Sequence, residues 1–151
     1  MRFILSLLLV GMMSQLGTAQ MDAKSPVSWS FETKKISKDE FQLIFTAEVD
    51  DKWQIYSQHT GEDGPIPTSF AFNEAKGLEL VGAVEESGDK SEGYDDMFGT
   101  NVIKFKGKTV FTQKVKVKKN LNEVAGTLRF MTCDGSTCLP PKDVPFSFVL
   151  K

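Results

Sequence analysis

The chain has little of the material from which metal and nucleophile sites are usually built. Its 151 residues include two cysteines, Cys133 and Cys138, and one histidine, His59. That is too few for a four-ligand zinc site made from Cys and His alone. No sign of charge dominates: 18 Lys and Arg stand against 20 Asp and Glu, a formal net charge of −2. The two signs are interleaved, so the basic footprint of a nucleic-acid binder is missing. No Ser/His/Asp set, phosphate-cradling glycine loop or carboxylate pair of diagnostic spacing can be assembled, and the sequence implies no cofactor and no metal. Beyond the first residues no apolar run approaches membrane-spanning length. What is present is core material: 12 Phe and 40% hydrophobic residues, enough for one globular domain.

Residues 1–19 read as a secretory signal peptide. Arg2 supplies a positive start, Phe3 to Val10 an apolar stretch too short to span a membrane, and Gly17-Thr18-Ala19 small residues for a cut before Gln20. The expected mature domain is 20–151, exported to the periplasm or secreted, without a membrane span. Losing Arg2 leaves 17 basic against 20 acidic residues, or −3.

From Val27 onward the dominant period is two, as in strands with one buried face. Val27, Trp29 and Phe31 alternate with polar residues, and so do Phe41, Leu43, Phe45, Ala47 and Val49. Asp50-Asp51-Lys52 reads as the turn into a strand at Trp53–Tyr56. Further strands are expected at 68–72, 78–85, 101–105, 109–117, 124–131 and 144–150, with Lys106-Gly107-Lys108 as a turn. In the last pair, Val124, Gly126, Leu128 and Phe130 share one face, as do Val144, Phe146, Phe148 and Leu150. About nine strands and no helical period make the domain all-β, an antiparallel sandwich or barrel. Two long connections remain, Ser57–Pro67 and Ser87–Gly99, and loops of that length on a rigid scaffold are where function sits.

Cys133 and Cys138 fall between the last two strands, around an Asp134-Gly135 turn signal. Their sulfurs are expected to face each other across an exposed hairpin loop, within reach of a disulfide, and export permits oxidation. Closing so short a loop constrains the unfolded chain by only about 2 kcal/mol. A structural staple and an exchanging redox pair are both consistent with the spacing.

Three segments, in order, carry a resemblance: Trp53-Gln54-Ile55-Tyr56, Tyr94-Asp95-Asp96-Met97-Phe98-Gly99, and Cys133 to Pro141 with its Cys-Leu-Pro-Pro run. Along most of the mature chain the sequence resembles the N-terminal periplasmic domain of the DsbD thiol:disulfide interchange proteins. The resemblance implies an immunoglobulin-like β sandwich whose cysteine pair exchanges electrons with thioredoxin-fold proteins beneath a cap loop. It implies that Cys133 and Cys138 are the redox pair, with Cys138 forming the mixed disulfide. Tyr56 is then the aromatic residue packed nearby, Asp95 and Asp96 the cap acids, and Met97-Phe98 the cap tip, where better-known members carry two aromatics and one more residue between the cysteines. No transmembrane segments or C-x-x-C domain follow Lys151, so electron donor and acceptor are expected in trans, in a pathway such as cytochrome c biogenesis. Asp134, Asp95 and Asp96 are expected to disfavour a thiolate, as suits a slow carrier.

The rival reading is a non-enzymatic binding or accessory module whose disulfide only fixes a hairpin. His59 reads as a surface residue, and Trp29 and Trp53 as core.

Overall fold

The computed structural model describes residues 24–118 and 120–151; the expected leader at 1–19 lies outside them. Among the described residues nine antiparallel strands form two sheets: β1 Val27–Lys35, β2 Glu40–Val49, β3 Gln54–Tyr56, β4 Ser69–Phe72, β5 Leu78–Asp95, β6 Thr100–Val117, β7 Glu123–Phe130, β8 Thr132–Cys133 and β9 Lys142–Val149. The larger sheet runs β1-β2-β6-β3-β8 with β5 also paired to β6, and the smaller runs β4-β7-β9.

Phe45, fully buried on β2, shows how the alternation closes the sandwich. Its ring meets Phe31 of β1 on its own sheet and Phe70, Phe146 and Phe148 from the facing one, with centroids 4.7 to 5.8 Å apart. The alternate residues Phe41, Leu43, Ala47 and Val49 are buried with it, as the period of two requires. Val124, Gly126, Leu128 and Phe130 face inward together, opposite Val144, Phe146, Phe148 and Leu150. The Asp50–Lys52 turn is also in place, with Trp53 N–H donating to the Asp50 carbonyl and Lys52 at φ 73°.

The expected loop at Ser87–Gly99 is instead mostly strand. β5 continues to Asp95 and β6 starts at Thr100, so the two form one long hairpin whose tip is Asp96–Gly99. The stretch from Ser87 to Tyr94 lacks an apolar alternation because its side chains are exposed on both faces; strand pairing there rests on backbone bonds, which leave no mark in the side-chain pattern. Lys106-Gly107-Lys108 is likewise not a turn but lies inside β6. Between the pairs Gly88↔Thr109 and Asp89↔Lys106 the register jumps, and Gly107 at φ +59° takes up the irregularity in a conformation open to glycine. A second irregularity lies between Val81 and Glu85, where buried Gln113 donates to the Val81 and Gly82 carbonyls.

β6 therefore serves two neighbours along one edge. Its C-terminal half pairs with β2, and its N-terminal half with β3 at Ile55↔Phe105 and Tyr56↔Lys104. On the other edge of β6, the β5 arm runs out to the tip.

Candidate functional site

The connection between β7 and β9 leaves the smaller sheet and joins the larger. There Thr132–Cys133 pairs with Gln54–Ile55, and the Thr132 hydroxyl donates to the Gln54 carbonyl at 2.8 Å. Cys133 is thus fully buried in a sheet position, and Cys138 is its antiparallel bridge partner. Antiparallel partners on one face bring their side chains together, and the two sulfurs are joined in a disulfide.

The intervening turn is organised by Asp134. Its Oδ1 accepts from the Ser136 and Thr137 N–H groups at 2.9 and 2.7 Å and from the Ser136 hydroxyl at 3.0 Å. These bonds, the backbone pair first, hold the carboxyl below the usual aspartate range. Leu139 N–H donates to the Thr132 carbonyl and closes the base.

Over the disulfide lies the tip of the β5–β6 hairpin. The Asp95 carbonyl accepts from Phe98 N–H and Gly99 N–H at 3.2 and 2.8 Å, and its Oδ1 accepts from Met97 N–H at 3.0 Å. Gly99 turns the chain at φ +68°. Asp95 Oδ2 pairs with Lys104 Nζ at 3.2 Å, with both side chains largely shielded. The tip reaches the cysteines at two points. Phe98 stands edge-on to Tyr56, centroids 5.8 Å apart, in a cluster with Val102, Met131, Cys133 and Cys138. The Met97 thioether sulfur lies 3.3 Å from Cys138 Sγ. A disulfide sulfur carries no proton, so this is sulfur resting on sulfur rather than a hydrogen bond.

Tyr56 is fully buried, and its hydroxyl has no hydrogen-bond partner. Burial pushes the phenol up; the Gln54 side chain opposes this without forming a well-aligned bond, and the negative charge of Asp95 adds to it.

The sequence from 23 to 149 matches the family model described as thiol:disulfide interchange protein DsbD, N-terminal. The chain belongs to the DsbD N-terminal domain family. Among solved structures it is similar to the N-terminal periplasmic domain of ScsB from Proteus mirabilis, at 15% identity and TM-score 0.63, covering 85% of this chain and 48% of that one. This chain thus spans about half the length of that relative. It is also similar to the reduced DsbD N-terminal domain of Neisseria meningitidis, at 17% identity and TM-score 0.52, covering 80% of this chain and 84% of that one. At these identities the likeness is one of fold, the immunoglobulin-like β sandwich. No curated protein matches the chain by sequence.

Within this DsbD N-terminal-like domain, Tyr56, Asp95, Met97, Phe98, Cys133 and Cys138 come together from β3, the hairpin tip and the β7–β9 connection. Asp96 is exposed at the tip, with no side-chain partner among the described residues. One expectation is corrected: the pair does not lie open on an exposed hairpin, because Cys133 is fully buried and Cys138 only partly exposed under Met97. Of the nearby acids, Asp95 is paired with Lys104, and the Asp134 carboxylate is bound by the N–H groups of its own turn.

Sequence reasoning missed Lys104, Val102 and Met131, and it missed the anchor of the cap arm. Glu86 on β5 accepts from the Ser57 hydroxyl and the Gln58 N–H, tying the arm to the segment after β3. The only signal for these was adjacency to Tyr56, which becomes informative once β3 and β6 are known to pair. Among the described residues no helix is long and apolar enough to cross a membrane.

Proposed function

We propose that this domain passes reducing equivalents by thiol–disulfide exchange through Cys133 and Cys138, between thioredoxin-fold donor and acceptor proteins. The observation that carries the reading is a disulfide roofed by a hairpin tip, with one sulfur fully buried and the other partly exposed. In the dithiol form the Cys138 thiolate attacks the partner disulfide, forming one mixed S–S bond and releasing a partner thiolate. Cys133 then attacks the Cys138 sulfur, closing the Cys133–Cys138 bond and freeing the second partner thiolate. Two electrons and two protons have moved to the partner. A donor dithiol runs the same steps in reverse.

The domain boundaries, with residues 1–19 as a signal peptide and 20–151 as the exported domain, belong to the same reading. They place the chain in the periplasm or outside the cell, where disulfides persist. Tyr56, Asp95, Asp96, Met97 and Phe98 act as the cap and its seat. Among the described residues the site has no helix N-terminus and no unpaired cation in contact with the cysteines to stabilise a thiolate, so exchange with casual thiols is slow and a docked partner must displace the tip first.

The complete burial of Cys133 favours a second reading, a structural disulfide in an accessory module. Titration of the folded protein in defined thiol buffers separates the two. The exchange reading expects reversible reduction within the range of cellular dithiol couples; a potential below about −300 mV fits the staple.

A further inference from the structure

The hairpin tip presents a thioether to the disulfide, and this has a chemical consequence of its own. Among the described residues sulfur occurs in Cys133, Cys138, Met97 and Met131. In the disulfide form the two cysteine sulfurs hold no thiolate, so the thioethers are the readily oxidised sulfurs left at the site. Met131 is partly buried in the Tyr56 cluster, whereas Met97 is 40% exposed.

We propose that Met97 is a modification site for oxygen-atom donors of the peroxide or hypohalous acid class, and that its sulfoxide swings the Met97 side chain off Cys138. The inference rests on reading the pair as redox-active. In the step, the thioether sulfur attacks one peroxide oxygen, the O–O bond breaks, and the other oxygen leaves as water. Sulfur gives up two electrons and gains an S–O bond, and the peroxide is reduced by the same two electrons.

Geometry turns that addition into opening. A gap of 3.3 Å between Met97 Sδ and Cys138 Sγ leaves no room for an oxygen between them. A sulfoxide turned toward the cluster of Tyr56, Phe98 and Met131 would bury a strong dipole among mostly hydrocarbon side chains, which is costly. The favourable course is rotation of the side chain into water, which uncovers Cys138. The Phe98–Tyr56 contact and the Asp95 turn persist, so the tip is loosened rather than unfolded. Oxidant would then convert a shielded carrier into one that exchanges more freely until a reductase restores the thioether.

The test uses the folded disulfide form. Wild type, Met97→Leu and Met131→Leu are treated with hydrogen peroxide, sulfoxides are located by peptide mass spectrometry, and the rate of reduction of Cys133–Cys138 by dithiothreitol is measured before and after. Wild type and Met131→Leu are expected to gain roughly tenfold in rate, with the gain reversed by methionine sulfoxide reductase, while Met97→Leu gains nothing. Sulfoxide at Met97 with an unchanged but measurable rate overturns this inference alone. So does a gain that survives in Met97→Leu. A disulfide that dithiothreitol cannot reduce in any folded form overturns the redox reading as well.

Discussion

The Phe98 ring stands edge-on to Tyr56 at a centroid distance of 5.8 Å, and this contact fastens the tip of the β5–β6 hairpin to the strand beside Cys133. An aromatic pair of this kind contributes about 1 kcal/mol beyond its area burial. Phe98→Ala is therefore expected to raise the rate at which a small thiol reduces the disulfide by roughly tenfold, combining the lost pair with lost apolar burial. Circular dichroism should show an intact sandwich, because Phe98 lies outside the main core. An unchanged rate would mean that Phe98 does not hold the tip.

Asp95 acts on the same tip through the backbone. Replacing it with Ala removes the bond to Met97 N–H and the ion pair with Lys104. Each such bond is worth about 1 kcal/mol net. Faster reduction of the disulfide is the expected outcome, by several-fold to tens of fold. Asp96→Ala, at an exposed position without a partner, is expected to leave this rate unchanged.

The Tyr56 hydroxyl makes a prediction about stability. A buried donor without a partner costs free energy, so Tyr56→Phe is expected to be neutral or stabilising by about 1 kcal/mol in denaturant unfolding. The folded phenol is raised above its ordinary value of 10.0. Below that value the phenol is protonated in both folded and unfolded states and the fold keeps its full stability; as pH rises through the folded value, stability is lost because the unfolded phenol ionises first. Wild type should therefore lose stability in alkali more steeply than Tyr56→Phe.

Asp134 gives the opposite sign. Its folded pKa is lowered by the Ser136 and Thr137 N–H groups and the Ser136 hydroxyl. Its stabilisation is present above the ordinary carboxylate value and is lost as pH falls through the lower folded one. The melting-temperature advantage of wild type over Asp134→Ala should be greatest near neutrality and should shrink in acid below about pH 4. A difference constant across pH would mean that the carboxylate does not organise the cysteine turn.

The sandwich was legible because Phe41 to Val49, Val124 to Phe130 and Val144 to Leu150 each bury one face, and burial writes a period of two into the sequence. The outer part of β5 was not legible, because Ser87 to Tyr94 are solvated on both faces and only their backbones are paired. For the site, the cysteines and the Tyr94–Gly99 segment were marked by resemblance, and the structure brings Met97 and Phe98 to Cys138 and Tyr56. The burial of Cys133 could not be read from its neighbours. It follows from the β7–β9 connection crossing to β3, a long-range pairing with no local signature.

The central claim is that Cys133 and Cys138 exchange with a partner disulfide, Cys138 attacking and Cys133 resolving. Its most direct test is covalent capture by the two single variants, read on non-reducing gels and by mass spectrometry of the adducts. With Cys133→Ser the mixed disulfide has lost its exit, so this variant is expected to accumulate an adduct with a thioredoxin-fold protein of the same compartment, joined through Cys138. Cys138→Ser leaves only the buried sulfur and should capture far less. A reversed preference would exchange the two roles, and no adduct from either variant, where a known redox carrier is captured, would contradict the account.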